Sequence, residues 1–207
     1  MKTKFKTALL EADKAVAEDI LINHLKNSGN KELVSKIITE TLYEIGEEWE
    51  KGDVALSQIY MSGRICEDIV KKVFNEIQQP TINHPKMAIV TLQDYHLLGK
   101  KVVYSVLKSS GFVIIDFGSV NSTDILVEKT IENNVEILLI STLMYHSALK
   151  IKDVVQLFRD KNHQIKILVG GAPFIFDTRL WEQVNADAMG VSPSDAISVL
   201  NQWIGRN

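Results

Sequence analysis

The segment "MAIVTLQDYHLLGKK", residues 87–101, runs from six apolar or β-branched residues into a polar loop and then into an amphipathic stretch. This order predicts a buried strand that turns into a helix. Amphipathic segments separate it from four further apolar runs, "FVIIDFG" (112–118), "EILLIST" (136–142), "IKILVGG" (165–171) and "ADAMGV" (186–191). Strands that alternate with helices predict an α/β domain over residues 86–207, with a doubly wound, Rossmann-like sheet of five parallel strands.

The residues before this sheet have a different pattern. Three stretches, 12–30, 31–53 and 54–78, carry apolar residues at helical spacing, with Gly and Asn at the breaks. They predict an all-α N-terminal part, a helical bundle domain over residues 1–79. The stretch "QQPTINHPK", residues 78–86, contains two of the four prolines and no apolar periodicity, so it predicts a linker.

The composition narrows the possible functions. The 207 residues have a formal net charge of -3 and no cluster of Lys and Arg, which argues against nucleic acid as a partner. Cys66 is the one cysteine of the chain, so an internal disulfide is excluded. The N-terminus lacks a sustained apolar core, and no later apolar stretch is long enough to cross a bilayer. We therefore expect no membrane partner and a cytoplasmic location.

Asp94, His96 and Gly99 follow the first predicted strand directly. A histidine that binds a metal through one ring nitrogen usually needs an acceptor for the other, and a carboxylate two residues away in a tight loop can reach it. A glycine three residues after the histidine lets the backbone come close to a bulky ligand. The alternative is a histidine that caps the next helix or hydrogen-bonds in the core. The spacing favours His96 as a metal ligand that Asp94 orients.

Two other predicted strands end in residues that would meet this loop. Ser141 and Leu143 come at the end of the third strand, and Ser147 lies six residues after Ser141. Gly170 and Gly171 end the fourth strand, although a glycine pair after a strand more often marks a plain turn. The carboxyl ends of parallel strands share one edge of the sheet, which is where doubly wound folds bind their ligands. The sequence thus predicts one site built from three strand ends.

Together the motifs Asp-x-His-x-x-Gly, Ser-x-Leu and Gly-Gly resemble the signature of cobalamin-binding proteins. The gaps are similar to those of the family, with 41 residues between Gly99 and Ser141 and 26 between Leu143 and Gly170. The helical stretch "LYEIGEEWEKGDVALSQIY", residues 42–60, is similar to the cap that precedes this domain in methionine synthase and in the corrinoid methyl-carrier proteins of anaerobic methyl transfer. The resemblance covers nearly the whole chain and implies cobalamin as the cofactor, with methylcobalamin as its loaded state.

The resemblance implies a catalytic role for three residues. His96 would displace the cofactor's own benzimidazole and become the lower axial ligand of cobalt, the base-off/His-on form. Asp94 would accept a hydrogen bond from the other imidazole nitrogen, and Ser147 would extend this relay. Gln93 departs from the pattern, because methionine synthase-like sequences commonly have glycine there.

The resemblance also implies how the displaced nucleotide tail is held. The tail would run past Gly99, between Ser141 and Leu143 on one side and Gly170 and Gly171 on the other. Small residues are expected there because the tail would fill the space that larger side chains occupy elsewhere.

The helical cap would shield the methyl group on cobalt from water. Trp49 and Tyr60 lie in the stretch that resembles the family's cap, so we expect them to contact the cofactor from above. The alternative is that both are ordinary core residues of the bundle.

The function implied is that of a methyl carrier, which is not expected to turn over alone. Its partners would be a donor methyltransferase, an acceptor methyltransferase linked to folate or a thiol, and a reductive activator. Methylamines, methanol and aryl methyl ethers are the donors that similar systems demethylate, and the sequence does not choose among them.

Two alternatives stay open. One is a cobalamin-dependent sensor, whose cap has Trp, nine residues, then Glu-His; here Ile59 and Tyr60 stand at those last two positions after Trp49. The other is the cobalamin subunit of a carbon-skeleton mutase, a class that generally lacks this helical cap.

Overall fold

The computed structural model of the chain describes residues 1–74 and 85–205. Two compact units are formed. One contains the N-terminal helices together with Ser105–Phe112, and the other contains the remaining described residues from position 85 onward. Most of the predicted linker lies outside the described residues, so the domain division at 79 and 86 stays a prediction.

The N-terminal unit contains the helices α1 (Lys2–Leu10), α2 (Lys14–Ser28), α3 (Lys31–Lys51) and α4 (Leu56–Phe74). The side chains of Asp13 and Asn30 accept hydrogen bonds from backbone N–H groups at the starts of α2 and α3, and Gly29 and Gly52 end these helices in the left-handed conformation. The sequence analysis predicted α2 to α4 and missed α1. Phe5, Ala8 and Leu9 of α1 are buried, at the spacing of one helix face.

The second unit is built on a sheet of five parallel strands in the order β2-β1-β3-β4-β5. The strands are β1 (Met87–Leu92), β2 (Ile114–Val120), β3 (Ile137–Ser141), β4 (Lys166–Gly170) and β5 (Ala188–Gly190). The helices that follow β1 are α5 (Leu98–Ser109), whose residues from Ser105 onward belong to the first unit, and α6 (Thr123–Glu132), α7 (Tyr145–Leu149), α8 (Ile151–Asp160), α9 (Ala172–Phe176), α10 (Leu180–Gln183) and α11 (Pro193–Ile204). The predicted fold class is confirmed.

The strand order places a topological switch point between β1 and β3. From β1 the chain moves outward to β2, and it then crosses to β3 and continues the other way to β5. Right-handed crossovers therefore put α5 on one face of the sheet and α6 and α8 on the other. The connections after β1 and β3 run in opposite directions from this point, so a ligand crevice is expected here at the carboxyl edge of the sheet.

The core of this unit lies between the sheet and α6 and α8. All six residues of β1 are buried, as expected for a central strand covered on both faces. Val90, Leu138 and Val169 from neighbouring strands belong to one buried cluster with Val154 and Phe158 of α8. This core fixes the carboxyl ends of β1, β3 and β4 relative to one another. No helix in the described ranges is long and apolar enough to cross a membrane.

Candidate cofactor site at the switch point

The candidate site is formed by two loops that leave the sheet on either side of the switch point. The first, residues 93–97, joins β1 to α5 and carries Asp94 and His96. The second, residues 142–144, joins β3 to α7 and carries Leu143. β1 and β3 are adjacent strands, with Thr91 opposite Ser141, so the two loops start side by side.

Asp94 and His96 form the pair that the sequence predicts. Nδ1 of His96 lies 2.6 Å from Oδ1 of Asp94, and the backbone N–H of His96 donates to the same oxygen over 3.0 Å. The side chain of Asp94 is 1% exposed, whereas that of His96 is 58% exposed. An ionised carboxylate only accepts hydrogen bonds, so in the neutral imidazole Nδ1 carries the proton and Nε2 has the lone pair that a metal needs.

The second carboxylate oxygen of Asp94 reaches the neighbouring loop. Oδ2 accepts hydrogen bonds from the backbone N–H of Leu143 over 2.7 Å and of Met144 over 3.0 Å. Burial by itself would raise the pKa of the Asp94 carboxyl. The hydrogen bonds from His96, Leu143 and Met144 favour the charged form and outweigh burial, which lowers the pKa to about 2.

Ser147 lies beside this loop but has a different partner from the one predicted. Its buried hydroxyl donates to the backbone carbonyl of Gln93 over 2.7 Å, so in this structure the hydroxyl does not extend the relay through Asp94. Gln93 has a φ of 46°, in the left-handed region. Glycine adopts this conformation without steric cost, which explains why methionine synthase-like sequences commonly have glycine where this chain has Gln93. A catalytic role for Ser147 stays a prediction.

Gly99 is exposed at the start of α5 and faces Ser141. A Cβ placed on Gly99 would have the hydroxyl oxygen of Ser141 as its nearest neighbour, 4.0 Å away. The protein's own packing therefore does not require glycine at position 99. A group that enters between the helix and the strand end would require it.

Gly170 and Gly171 are required by the protein's own backbone. A Cβ on Gly170 would lie 2.8 Å from the carbonyl oxygen of Gly190, and one on Gly171 would lie 1.8 Å from that of Thr142. Gly171 also has a φ of 116°, which L side chains rarely adopt. The sequence analysis attributed both glycines to room for the nucleotide tail. In the structure they let the ends of β4, β5 and the 142–144 loop come together.

A row of hydroxyl groups lies at the same edge; the sequence analysis identified Ser141 and missed Ser119, Thr91 and Thr142. Ser119, Thr91 and Ser141 are opposite one another across β2, β1 and β3. The Oγ1 atoms of Thr91 and Thr142 are buried and have no hydrogen-bond partner within the part of the chain that the structure describes. Buried hydroxyl groups normally have partners, so these two fit a ligand that brings polar atoms into the crevice. Their only sequence signal is their position next to the motif residues.

Several loops at this edge expose large apolar side chains. Tyr95, next to His96, is 82% exposed, and Phe176, at the end of α9, is 89% exposed. The others are Leu98, Leu143, Met144, Tyr145, Leu149 and Ile175. Exposed apolar surface of this extent is typical of a site for a large ligand or a protein partner.

Trp49 and Tyr60 lie in the N-terminal unit, on α3 and α4 respectively. Both side chains are half-buried. Their predicted contact with the cofactor stays a prediction.

Comparisons with known proteins agree with the chemistry of this site. A family model described as a B12 binding domain matches residues 86–197, and a second model with the same description matches residues 1–73. The chain is 27% identical over 203 residues to the trimethylamine corrinoid protein of Methanosarcina barkeri, with 94% of this chain and 92% of that protein covered.

Solved structures share the fold. A cobalamin-binding protein from Desulfitobacterium hafniense superposes with a TM-score of 0.81 at 18% identity, over 99% of both chains. A chain of the methanol:cobalamin methyltransferase complex of Methanosarcina barkeri superposes with a TM-score of 0.69 at 15% identity, over 99% of this chain and 79% of that one. The family resemblance and the cofactor predicted from the sequence, cobalamin, are confirmed.

Proposed function

This chain belongs to the B12 binding domain family and binds cobalamin, and from that premise we propose that it carries a methyl group between methyltransferases. Cobalamin is bound base-off, with Nε2 of His96 as the lower ligand of cobalt. The observation that carries the proposal is the 2.6 Å hydrogen bond between Nδ1 of His96 and Oδ1 of Asp94 on an exposed imidazole. The bound corrinoid supplies the transfer chemistry.

The part of Asp94 in this proposal is to hold His96 ready for the metal. Its buried, ionised carboxylate fixes the ring's orientation and its tautomer before the cofactor arrives. The ring is thereby restricted to one arrangement, so less conformational freedom is lost when Nε2 becomes a ligand.

The nucleotide tail enters the space beside Gly99 in this proposal. The 4.0 Å separation between a Cβ at position 99 and Oγ of Ser141 supports an opening there, and the unpartnered hydroxyls of Thr91 and Thr142 support polar contacts with the tail. Leu143 follows the end of β3 and borders the tail in this proposal. Gly170 and Gly171 act indirectly, because they let the 142–144 loop pack against the end of β4.

The methyl group comes from a donor methyltransferase and goes to an acceptor methyltransferase linked to folate or a thiol, and a reductive activator restores the cofactor. The trimethylamine corrinoid protein that this chain resembles over nearly its whole length favours a methylamine as the donor. The likeness to a chain of a methanol:cobalamin methyltransferase complex supports a methyltransferase as the docking partner. The helical cap domain, residues 1–79, shields the methyl group through Trp49 and Tyr60, and the cobalamin-binding domain spans 86–207.

The ligand assignment is tested on the reconstituted holoprotein in its cobalt(II) state. With ¹⁵N-labelled histidine, electron paramagnetic resonance is expected to show coupling from a protein nitrogen in the wild type, and this coupling is expected to disappear in His96→Ala. His146, which is exposed in α7, provides the control: His146→Ala is expected to keep the signal. Coupling from the cofactor's benzimidazole in the wild type would contradict base-off binding.

The carrier role is tested by following methyl transfer to the reduced holoprotein. It is expected to accept a methyl group rapidly from methyl iodide and only slowly from an unactivated amine, alcohol or ether. A cognate methyltransferase is expected to accelerate the slow reaction. Rapid demethylation of an amine or ether by this chain alone would contradict the proposal.

A further inference from the structure

Asp94 has two oxygen atoms that serve two different loops. Oδ1 accepts from the backbone N–H and the imidazole of His96, and Oδ2 accepts from the N–H groups of Leu143 and Met144. The carboxylate is therefore shared between the loop that presents the cobalt ligand and the loop that follows β3.

Asp94 is the acceptor for two successive N–H groups of the 142–144 loop. The N–H of Thr142 is bonded to the carbonyl of Gly170 over 3.0 Å, whereas the next two N–H groups both converge on Oδ2 of Asp94. Leu143 and Met144 are exposed residues, but both of their N–H groups point at a carboxylate whose side chain is 1% exposed. Hydrogen bonds to a charged acceptor are stronger than those between neutral groups, so the loop conformation depends on this carboxylate.

Asp94 is itself held from behind. Its backbone carbonyl accepts from Oγ of Ser119 on β2 over 2.7 Å, and Oγ of Ser147 donates to the preceding carbonyl, that of Gln93. These bonds tie the base of the first loop to β2 and α7. The carboxylate is thus a fixed point, and the 142–144 loop is positioned relative to it.

We propose that Asp94 is a positioning residue for two parts of cobalamin at once, orienting His96 toward cobalt and holding the 142–144 loop in the shape that accepts the nucleotide tail. This inference rests on the proposed function, because it takes the crevice beside Gly99 as the tail's entrance. It adds a second role for Asp94, one that does not act through His96.

The two roles are separable by substitution. His96→Ala removes the ligand and leaves both bonds to Oδ2. Asp94→Asn keeps one acceptor oxygen but turns the other position into an NH₂ donor, which cannot accept from the imidazole or from the loop. Whichever way the amide is turned, the N–H groups of Leu143 and Met144 lose their charged acceptor in this variant.

The first measurement is made on the protein without cofactor, by amide hydrogen exchange followed by NMR. The amides of Leu143 and Met144 are expected to exchange about tenfold faster or more in Asp94→Asn, since each loses a hydrogen bond to a charged acceptor. They are expected to keep the wild-type rate in His96→Ala. Equal protection of both amides in all three proteins would overturn the inference.

The second measurement separates tail binding from cobalt ligation. Affinities are compared for cobinamide, which has no nucleotide tail, and for a cobamide whose lower base is a phenol and cannot coordinate cobalt. The affinity for the phenol cobamide divided by the affinity for cobinamide, called the tail ratio, reports the contribution of the tail alone. His96→Ala is expected to weaken both corrinoids by the same factor and leave the ratio unchanged. Asp94→Asn is expected to lower the ratio by about tenfold.

A pair of loop variants keeps the inference testable if Asp94→Asn does not fold. Met144→Pro removes one N–H donor to Oδ2 at a residue whose φ of -90° lies near the range of proline, whereas Met144→Ala keeps the donor. A lower tail ratio in the proline variant alone would support the inference, and an equal ratio in both would contradict it. If His96→Ala leaves the cobinamide affinity unchanged, the ligand assignment fails, while the tail ratio still tests the role of Asp94.

Discussion

The ammonium group of Lys100 pairs with the carboxylate of Asp116, which joins the first turn of α5 to β2. The burial of the pair is unequal, because the side chain of Lys100 is 2% exposed and that of Asp116 is 35% exposed. Oδ1 of Asp116 also accepts from the N–H of Gly118 over 2.8 Å. The ion pair thus anchors α5, the helix that begins beside His96, to the edge strand β2. The buried ammonium of Lys100 has little access to water, so it depends on Asp116 for its counter-charge.

This asymmetry predicts unequal effects of the two single substitutions. Asp116→Asn is expected to lower the free energy of unfolding by about 3 kcal/mol, because it leaves a buried ammonium without a counter-charge. Lys100→Met is expected to lower it by about 1 kcal/mol or less, because Met fills similar space and the exposed carboxylate stays hydrated. Urea unfolding of the two variants and of the double variant checks this, and equal losses in the single variants would contradict it.

Gly99→Ala is expected to fold normally and to bind cobalamin poorly. Position 99 is in the first turn of α5, where alanine is favoured over glycine by up to about 1 kcal/mol. The added Cβ meets nothing closer than 4.0 Å within the protein, so a loss of cobalamin affinity would come from the space it occupies. Isothermal titration of the variant with cobalamin gives the affinity, and thermal unfolding of the cofactor-free protein gives the stability.

Gly171→Ala is the matched control, with the opposite expected outcome. Its Cβ would lie 1.8 Å from the carbonyl oxygen of Thr142 at a φ of 116°, so the cofactor-free protein is expected to lose several kcal/mol of stability, about 3 or more. A stable Gly171→Ala protein with weakened cobalamin binding would show instead that this glycine makes room for the tail, as the sequence analysis had it.

Acid is expected to destabilise the protein through Asp94. The pKa of this carboxyl is about 2 in the folded state, below its ordinary value of 3.8, so the folded state favours the charged form. Its contribution to stability is present above pH 4 and is lost as the pH falls toward 2; it amounts to about 2 kcal/mol. Urea unfolding between pH 2 and 5 measures how steeply the free energy of unfolding depends on pH. This slope is expected to be shallower in Asp94→Asn. Identical slopes in the two proteins would contradict the prediction.

The sequence predicted the elements that depend on local pattern. Apolar runs identified the strands because a central parallel strand is buried on both faces, and Asp94 with His96 was identified because two residues in a tight loop are close whatever the fold. β2 starts two residues later than predicted, at Ile114, because the N–H of Phe112 bonds back to the carbonyl of Leu107 and closes the end of α5.

The parts that were missed depend on contacts between distant segments. The bonds from Leu143 and Met144 to Asp94 come from backbone groups, which every residue has and which no sequence pattern marks. The pairing of Lys100 with Asp116 follows from the packing of α5 on β2, and the partner of Ser147 follows from where α7 begins. Local spacing places side chains near one another, but the tertiary structure decides which acceptor a hydroxyl reaches.

The hydroxyl of Ser147 was predicted to extend the relay through Asp94, but in the structure it donates to the carbonyl of Gln93. The substitution Ser147→Ala distinguishes these two contacts. In Ser147→Ala the carbonyl of Gln93 loses a 2.7 Å hydrogen bond, so a loss of about 1 kcal/mol is expected at every pH. The acid-dependent loss that belongs to Asp94 is expected to keep its wild-type position between pH 4 and 2, since the hydroxyl does not contact that carboxylate. Ser119→Ala is the matched control, because it removes a hydroxyl from the backbone carbonyl of Asp94 in the same way. If Ser147→Ala alone moves the acid transition toward higher pH, then Ser147 does stabilise the charged Asp94 in solution and the relay predicted from the sequence exists.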